Sequence, residues 1–272
     1  MKADERQQAI LRRVRADGFA AIEDLAEHFA VTPQTIRRDV TQLCDQGLAR
    51  RHHGGVGTLE LGGNLDFERR RVLGLEAKAS IGRAVAEMIP PRAALLLGIG
   101  TTPEQVAQAL HAHEALTVVT NNLGAASALC RSESHTIVLP GGKLRNRHRD
   151  LVGEAALNLF RSYRADFAIF GVGGIDDDGS LLDFDPDEVA IRDAMAANAR
   201  HRILVADHGK FQRRPPVRGG MLGDVETLVT DAPPPAEADA ALAAAGVRVV
   251  VAEGRANITR SGQQETAGAI HA

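Results

Sequence analysis

The sequence has little cysteine and no long apolar run. Its 272 residues include two cysteines, Cys44 and Cys130, which stand far apart and outside any metal-ligand spacing. A disulfide framework is therefore not expected, and such cysteine usage fits a reducing compartment. No apolar run of about 18 residues is present, so no membrane span is predicted. The first residues also lack the apolar stretch of a signal peptide, and we expect a cytoplasmic protein.

An excess of charge of either sign is also missing. The formal net charge is −3, so the chain as a whole is no polycation. A DNA-binding protein nevertheless needs only a local basic patch that faces the phosphates. Metal chemistry is not indicated, because His111, His113, His135 and His148 follow no ligand spacing. We expect neither a metal nor another cofactor.

Residues 31–43, VTPQTIRRDVTQL, predict a helix with one buried stripe. Thr32 is suited to cap this helix and Pro33 to its first position. Apolar residues recur at spacings of four and three, which places them on one face. Side chains off that face can hydrogen-bond base edges and phosphates. With the capping Thr32, these candidate DNA-binding residues are Gln34, Thr35, Arg37 and Arg38.

The neighbouring segments favour a DNA-reading helix over an ordinary amphipathic surface helix. Helices are predicted over 4–16 and 22–29, and a short turn joins the second to the helix just described. This helix-turn-helix spacing lets the last helix enter a major groove. Residues 48–56 then predict a small hairpin, or wing. Three residues of this wing are candidates for contact with the DNA backbone or minor groove: Arg51, His52 and His53. A solvated loop is the other explanation for these polar residues.

The composition predicts two domains. Residues 1–57 form the predicted winged helix-turn-helix domain, and residues 58–75, which mix glycine with charge, predict a linker. Residues 76–254 alternate strand and helix patterns, which predicts an α/β domain whose mainly parallel sheet carries helices on both faces. Residues 255–272 are polar and aperiodic, so we expect a disordered tail.

Four loops at predicted strand ends share a chemistry suited to an anion with hydroxyl groups. Ligands of such sheets bind beyond the carboxyl ends of the strands. In the loop of residues 98–105, glycines let the backbone approach an anion and a helix start supplies N–H groups. Thr102 and Gln105 also have capping-box spacing, and each loop alone is explained by turn formation. The candidate effector-binding residues are Gly100, Thr101, Thr102, Thr120, Asn121, Asn122, Gly141, Gly142, Arg145 and Lys210.

The acidic segment 176–188 has two interpretations. Its carboxylates are able to order the hydroxyl groups of a ligand, and an ordinary solvated loop explains them equally well.

These motifs together resemble the DeoR family of bacterial transcription regulators, from about residue 5 to residue 235. The winged part is similar through residues 35–39, 43 and 51–55, and the remainder through 100–102, 120–122, 141–142, 145, 207 and 210–211. The resemblance implies a sensor domain related in fold to ribose-5-phosphate isomerases. The chain departs from the family at Gly98, where aspartate is usual, at Ala21, where Ser or Thr caps a helix, and at Arg192, where lysine is common.

The resemblance implies a DNA-binding repressor of a carbon-catabolism regulon. A phosphorylated sugar or polyol would release it from double-stranded operator DNA. Glycerol 3-phosphate is the favoured effector, and a regulator of another sugar-phosphate pathway is the alternative. A homodimer or homotetramer is implied as well.

A sugar-phosphate isomerase with a DNA-binding arm is the rival class. Aldose–ketose isomerisation needs a carboxylate base beside the carbon that loses a proton. Isomerases of this fold resemble the chain near residues 171–174, where they carry aspartates and this chain has only glycine and valine. We therefore expect a sensor without turnover rather than an enzyme.

Overall fold

The computed structural model describes residues 3–17, 19–46, 48–52, 54–57, 67–146 and 148–252. Its N-terminal elements are α1 (Ala3–Asp17), β1 (Phe19–Ala21), α2 (Ile22–His28), α3 (Pro33–Asp45), β2 (Arg50–His52) and β3 (Gly55–Gly57). The predicted helix-turn-helix and wing are confirmed. The strands form an antiparallel sheet of order β1-β3-β2, in which β1 was not predicted because three residues are too few to show a strand period.

The apolar stripe of α3 lies at the centre of the winged domain's core. Ile36, Val40 and Leu43 are at most 1% exposed, and they pack with Ile10 of α1 and Leu25 of α2. The predicted spacing is therefore the one that buries this face. The opposite face of α3 is left to solvent.

Helix α2 begins without a side-chain cap, as Ala21 predicts. The backbone N–H of Ile22 donates instead to the carbonyl of Gly54 in the wing, at 2.8 Å. One of the donors at the helix start is thereby satisfied by tertiary structure. The wing thus replaces part of what a capping hydroxyl supplies.

The segment predicted as a linker contains a helix, α4 (Phe67–Val72). Residues 58–66, and the predicted tail of residues 255–272, lie outside the described residues. Phe67 is 2% exposed, and the guanidinium groups of Arg70 and Arg149 lie 5.6 and 5.7 Å from its ring centroid. The ring therefore anchors α4 on the second domain. Six residues are too few for the sequence to show a helical period.

The second domain alternates strands and helices. Its strands are β4 (Ala94–Leu97), β5 (Thr117–Thr120), β6 (Thr136–Val138), β7 (Leu144–Arg145), β8 (Asp150–Leu151), β9 (Ala165–Phe170), β10 (Gly174–Ile175), β11 (Ser180–Asp183), β12 (Ala199–Val205), β13 (Val217–Met221), β14 (Thr227–Thr230) and β15 (Arg248–Val251). Its α-helices are α5 (Leu75–Met88), α6 (Thr101–Leu110), α7 (Leu123–Leu129), α8 (Glu154–Arg161), α9 (Pro186–Ala197) and α10 (Ala236–Ala244). Short 3₁₀ helices span His208–Gln212 and Leu222–Asp224.

A seven-stranded parallel sheet of order β15-β14-β12-β9-β4-β5-β6 forms the centre of this domain. Alternate residues of one strand enter different apolar clusters: Leu96 joins the cluster of Phe160 and Met195, whereas Leu95 joins that of Ile81 and Val106. Since successive side chains point to opposite faces, both faces are buried. Helices α5 to α7 cover one face and α8 to α10 the other. The predicted parallel sheet between helix layers is confirmed.

Short antiparallel pieces were not predicted. β7 pairs with β8, and β10, β11 and β13 form a small separate sheet. The acidic segment 176–188, for which a solvated loop was one of two interpretations, contains β11 and the start of α9. These strands are two to five residues long, which is too short for a strand period to stand out in the sequence.

The strand order reverses direction between β4 and β9. From β4 the chain proceeds to β5 and β6 on one side, whereas β9 leads to β12, β14 and β15 on the other. Loops leave such a switch point in opposite directions and open a crevice at the carboxyl ends of the strands. None of the helices in the described ranges has the length and apolar character that crossing a bilayer requires.

Candidate functional site

The first candidate surface is the outward face of α3. Thr32 caps the helix, because its hydroxyl accepts from the N–H of Thr35 at 3.3 Å, and Pro33 takes the first position. Gln34, Arg37 and Arg38 are exposed. They line a shallow groove whose other residues are Thr41, Gln42, Asp45 and Arg51. The structure thus brings the predicted helix residues beside the predicted wing arginine.

The arginines of this groove are available to an anion. Arg37 lies 3.7 Å from Glu23, and both side chains are more than half exposed, so the pair contributes at most about 1 kcal/mol. Arg38 forms no ion pair with any residue in the described ranges. Arg51 donates to the hydroxyl of Thr41 at 3.0 Å, which holds the wing against α3. Phosphates can therefore replace these weak contacts.

Asp39 is the acidic residue in the middle of α3, and it does not line the groove. It is 5% exposed, and its carboxylate accepts from Nε of Arg6 at 2.6 Å and from Nε2 of Gln7 at 3.2 Å. The negative charge in the middle of α3 is therefore neutralised from α1. This buried pair also fixes the rotation of α3 on its core. The sequence alone did not indicate Arg6 because its partner lies 33 positions away.

Of the two predicted wing histidines, His52 is the last residue of β2. His53 lies outside the described residues. Contact of either residue with DNA stays a prediction.

The second candidate site is a pocket at the switch point, called here the strand-end pocket. Its walls come from residues 98–103 after β4, residues 170–173 after β9, Asn121 after β5 and Lys210 after β12. Ends of neighbouring parallel strands meet at one edge of the sheet, which explains why segments so distant in sequence converge. Of the predicted effector-binding residues, the pocket brings together Gly100, Thr101, Thr102, Asn121 and Lys210.

The loop after β4 places the start of α6 at the wall of this pocket. Gly100, with φ of +115°, precedes the helix in a conformation that favours glycine. No side chain caps α6, so the predicted capping box of Thr102 and Gln105 does not form; α6 begins earlier, at Thr101. The first N–H groups of a helix have no partner within it and carry partial positive charge. An uncapped helix start in a pocket is suited to bind a phosphate.

Positive side chains gather around Lys210. Burial and the neighbouring charges of Arg213, Arg70 and Lys78 lower the pKa of Lys210 to about 7, against the opposing effect of Asp207. Burial likewise lowers the pKa of Lys78, which is 5% exposed. Four cations thus repel one another, and the carboxylates of Asp207 and Asp183 offset this repulsion only in part. An anion bound among them would relieve that repulsion.

Asn121 brings an unsatisfied acceptor to the pocket wall. Its Nδ2 donates to the carbonyl of Leu151 at 2.8 Å, but its Oδ1 is buried and has no hydrogen-bond partner among the described residues. Leaving a buried acceptor unpaired costs about 1–3 kcal/mol. A ligand hydroxyl is the kind of donor that would satisfy it.

Carboxylates form the opposite wall. Asp183 is held by Nη1 of Arg192 and by the N–H of Gly173, so its position is fixed. Burial and the nearby charge of Asp183 raise the pKa of Glu188 to about 7, although Arg145 opposes this. Carboxylates in this position can accept hydrogen bonds from ligand hydroxyls.

Five of the predicted effector-binding residues do not line the strand-end pocket: Thr120, Asn122, Gly141, Gly142 and Arg145. Asn122 caps α7 and donates to the carbonyl of Gly100 at 3.2 Å, and the hydroxyl of Thr120 accepts from its N–H. These two side chains therefore brace the loop after β4. Gly141 and Gly142 are exposed.

Arg145 is held by carboxylates of the protein itself. Its guanidinium donates to Asp150 at 2.6 Å, to Asp185 at 2.7 Å and to Glu188 at 2.8 Å. With its donors engaged in this way, Arg145 positions Glu188.

Four pocket residues were not predicted from the sequence as ligand contacts: Arg70, His148, Phe184 and Arg192. Arg70 and His148 come from short segments without periodicity. Asp183 and Glu188 belong to the acidic segment whose two interpretations were left open, and both line the pocket. Within the described residues, no group of three or more His, Cys, Asp or Glu residues could hold a metal ion.

Two family models match the chain. The DeoR-like helix-turn-helix domain matches residues 6–60, and the DeoR C terminal sensor domain matches residues 74–232. These ranges contain the outward face of α3 and every residue that lines the strand-end pocket except Arg70.

Similarity to individual proteins extends through both domains. The chain is 46% identical to the glycerol-3-phosphate regulon repressor of Escherichia coli over 235 residues, which is 86% of this chain and 93% of that protein. It is 45% identical to the glycerol-3-phosphate regulon repressor of Haemophilus influenzae over 230 residues, or 85% and 90% of the two chains. Among solved structures it is similar to ribose 5 phosphate isomerase A from Neisseria gonorrhoeae, with 14% identity, coverage of 50% and 53%, and a TM-score of 0.37.

Proposed function

Because the chain belongs to the DeoR family of DNA-binding transcriptional repressors, we propose that it represses a glycerol or glycerol-3-phosphate regulon and that a phosphorylated polyol releases it from the operator. It is a regulator and not an enzyme, as its relatives are repressors. Those relatives are named for glycerol 3-phosphate, which makes this polyol the favoured effector. Residues 1–57 would read the operator and residues 76–254 would sense the effector.

The cations around Lys210 are the observation that carries the effector proposal. Lys210 and Arg70 line the pocket whose wall includes the uncapped start of α6, and the charges of Arg213 and Lys78 act on Lys210. A phosphate would accept hydrogen bonds from Lys210 and from the backbone N–H groups at residues 101 and 102. The hydroxyl groups of the ligand would then meet Asn121 and Glu188. A small phosphorylated polyol carries both kinds of group.

Release from DNA requires an effector that distinguishes two arrangements of the protein. We infer that a dimer or tetramer presents paired α3 helices to a repeated operator. Effector binding then favours an arrangement whose helix spacing no longer matches the half-sites. An effector that bound both arrangements equally would shift neither.

A thermal-shift screen of phosphorylated C3–C6 metabolites tests this proposal. A ligand that binds only the native state raises its melting temperature in proportion to the logarithm of its concentration. We expect glycerol 3-phosphate to raise the transition of the sensor domain, and glycerol to have no effect. A rise in melting temperature with pentose or hexose phosphates alone would indicate that the protein regulates another sugar-phosphate pathway.

Replacing Arg37 and Arg38 with alanine should weaken operator binding. Each arginine is expected to contribute about 1–3 kcal/mol to the free energy of operator binding. Each should also contribute about one unit to the slope of the logarithm of affinity against the logarithm of salt concentration. Gel retardation with a duplex selected by the wild-type protein from random sequences measures both. Arg161→Ala, which changes an exposed arginine of the sensor domain, is the matched control. Retardation equal to that of the wild type in the Arg37→Ala/Arg38→Ala variant would contradict the assignment of α3.

Effector affinity should fall as the pH rises above neutrality. A phosphate binds protonated Lys210 better than neutral Lys210. In the ligand-free protein the pKa of Lys210 is about 7. Affinity is therefore full below about pH 6, falls to about half of that value near pH 7, and declines up to about tenfold per pH unit above it. Asp207 and Asp183 oppose the loss of this proton, whereas Arg213, Arg70 and Lys78 promote it.

Calorimetric titrations with glycerol 3-phosphate between about pH 6 and pH 9 measure this dependence. Ionisation of Glu188 above its pKa of about 7 adds a negative charge and acts in the same direction. The Glu188→Gln variant isolates the contribution of Lys210. An affinity that stays constant or increases up to pH 9 would show that Lys210 does not contact the phosphate.

A further inference from the structure

Helix α4 meets the sensor domain at the margin of the strand-end pocket. Arg70 lines the pocket, and its guanidinium lies 3.3 Å from Nδ1 of His148, which lines it too. The next residue, Arg71, forms an ion pair of 3.3 Å with Glu104 in the first turn of α6. Helix α4, which follows the winged domain in sequence, therefore contacts the pocket wall. It also contacts α6, whose start forms part of that wall.

A buried lysine fixes the end of α4 at the same place. Nζ of Lys78, on α5, donates to the carbonyl of Arg70 at 2.5 Å and also to the carbonyl of Leu73. A cation at a helix C-terminus satisfies its last carbonyls and complements the helix dipole. Lys78 is also among the charges that act on Lys210. The end of α4 and the cation cluster are therefore one electrostatic unit.

We propose that Arg70 is an effector-binding residue contributed by α4, so that a bound phosphate ties α4 to the sensor domain. The inference rests on the proposed function, because it assigns a further contact to the same phosphorylated effector. Arg70 and Lys210 come from segments that are 140 positions apart, and both line one pocket. A phosphate bound by both would hold α4 against the end of β12.

The chemistry of arginine suits this role. A guanidinium presents a planar set of donors that matches two phosphate oxygens, and it keeps its charge at every physiological pH. It thus supplies a constant attraction beside Lys210, whose protonation changes near neutrality. Phe67 supports the guanidinium through contact with its ring face, at 5.6 Å from the centroid.

This contact also explains how effector binding reaches the winged domain. In sequence, α4 stands between the winged domain and the sheet. A contact made only when the phosphate is bound distinguishes two arrangements of this segment, and only such a difference shifts an equilibrium.

Arg70→Gln and Arg71→Gln form a matched pair for the test, since they change neighbouring arginines of one helix in the same way. The full-length proteins are titrated with glycerol 3-phosphate and with inorganic phosphate. We expect Arg70→Gln to lower the affinity for both ligands by about 10- to 100-fold. Because Arg71 lies outside the pocket lining, Arg71→Gln should change the affinity for either ligand by less than about threefold.

Hydrogen exchange of the α4 amides supplies the second readout. Glycerol 3-phosphate should slow exchange over residues 67–73 in the wild type and in Arg71→Gln, but not in Arg70→Gln. Wild-type affinity together with undiminished protection in Arg70→Gln would overturn the inference and leave the effector proposal intact. A wild-type protein that binds neither ligand would overturn the proposed effector, and the role of Arg70 with it.

Discussion

Replacing Lys210 with methionine is expected to weaken glycerol 3-phosphate binding by about 100-fold or more while operator binding is retained. Removing one partner of a buried ion pair costs about 2–5 kcal/mol of binding free energy, and Lys210 is a partly buried cation that lines the pocket. Methionine keeps most of the side-chain volume. The change therefore removes the charge and leaves the pocket filled.

The variant should not lose stability in the absence of effector. Burial and three neighbouring cations oppose the charged form of Lys210 in the folded protein, so a neutral side chain at this position relieves repulsion. The melting temperature without ligand is expected to equal or exceed that of the wild type. Loss of the effector-induced shift can then be attributed to lost binding and not to unfolding.

The measurement combines calorimetric titration with gel retardation in the presence of increasing glycerol 3-phosphate. Lys143→Met is the matched control, because Lys143 is exposed and lies outside the pocket lining. It should respond to effector like the wild type. If Lys210→Met protein is still released from DNA at wild-type effector concentrations, the phosphate does not bind at the strand-end pocket.

The pocket was partly predictable because parallel sheets place their ligands in one region. Residues 100–102 and Lys210 were identified as residues that follow strands, and the topology brings all strand ends to one edge. Their contact with an effector stays a prediction. Asn122 follows a strand as well, yet its side chain points into the neighbouring loop and caps α7. Position along the chain does not determine this orientation.

Arg145 and Arg70 show why the other pocket residues could not be predicted. Arg145 stands after a Gly-Gly turn and resembles an anion-binding cation, but three carboxylates from other segments hold it. Arg70 stands in a segment that mixes glycine and charge, and it reaches the pocket only because α4 packs beside α6. Both outcomes depend on contacts between distant segments, and no local pattern reports such contacts.

The recognition helix was more fully predictable because its periodicity reports burial directly. Ile36, Val40 and Leu43 were expected inside and are fully buried. The outward residues then follow by exclusion. Asp39 is the exception: a carboxylate directly after two arginines suggests a solvated residue, and its burial depends on Arg6 of α1. That pair gives the second large effect that we expect.

Arg6→Ala is expected to destabilise the winged domain by about 3–5 kcal/mol, because it leaves the buried carboxylate of Asp39 without its cation. Operator binding should fall with it, since α3 loses the contact that fixes its rotation. The sensor domain should keep its own thermal transition and its response to glycerol 3-phosphate. Calorimetric melting, which resolves the two transitions, is the measurement.

The double variant Arg6→Met/Asp39→Leu separates the loss of a charge from the loss of packing. Replacing both members of a buried pair by apolar side chains of similar volume is often neutral or stabilising. We therefore expect the double variant to melt within about 1 kcal/mol of the wild type, well above Arg6→Ala. A single variant Arg6→Ala as stable as the wild type would mean that Asp39 finds water or another donor. A double variant as unstable as Arg6→Ala would show instead that apolar side chains do not replace the hydrogen bonds at Asp39, which include the one from Gln7.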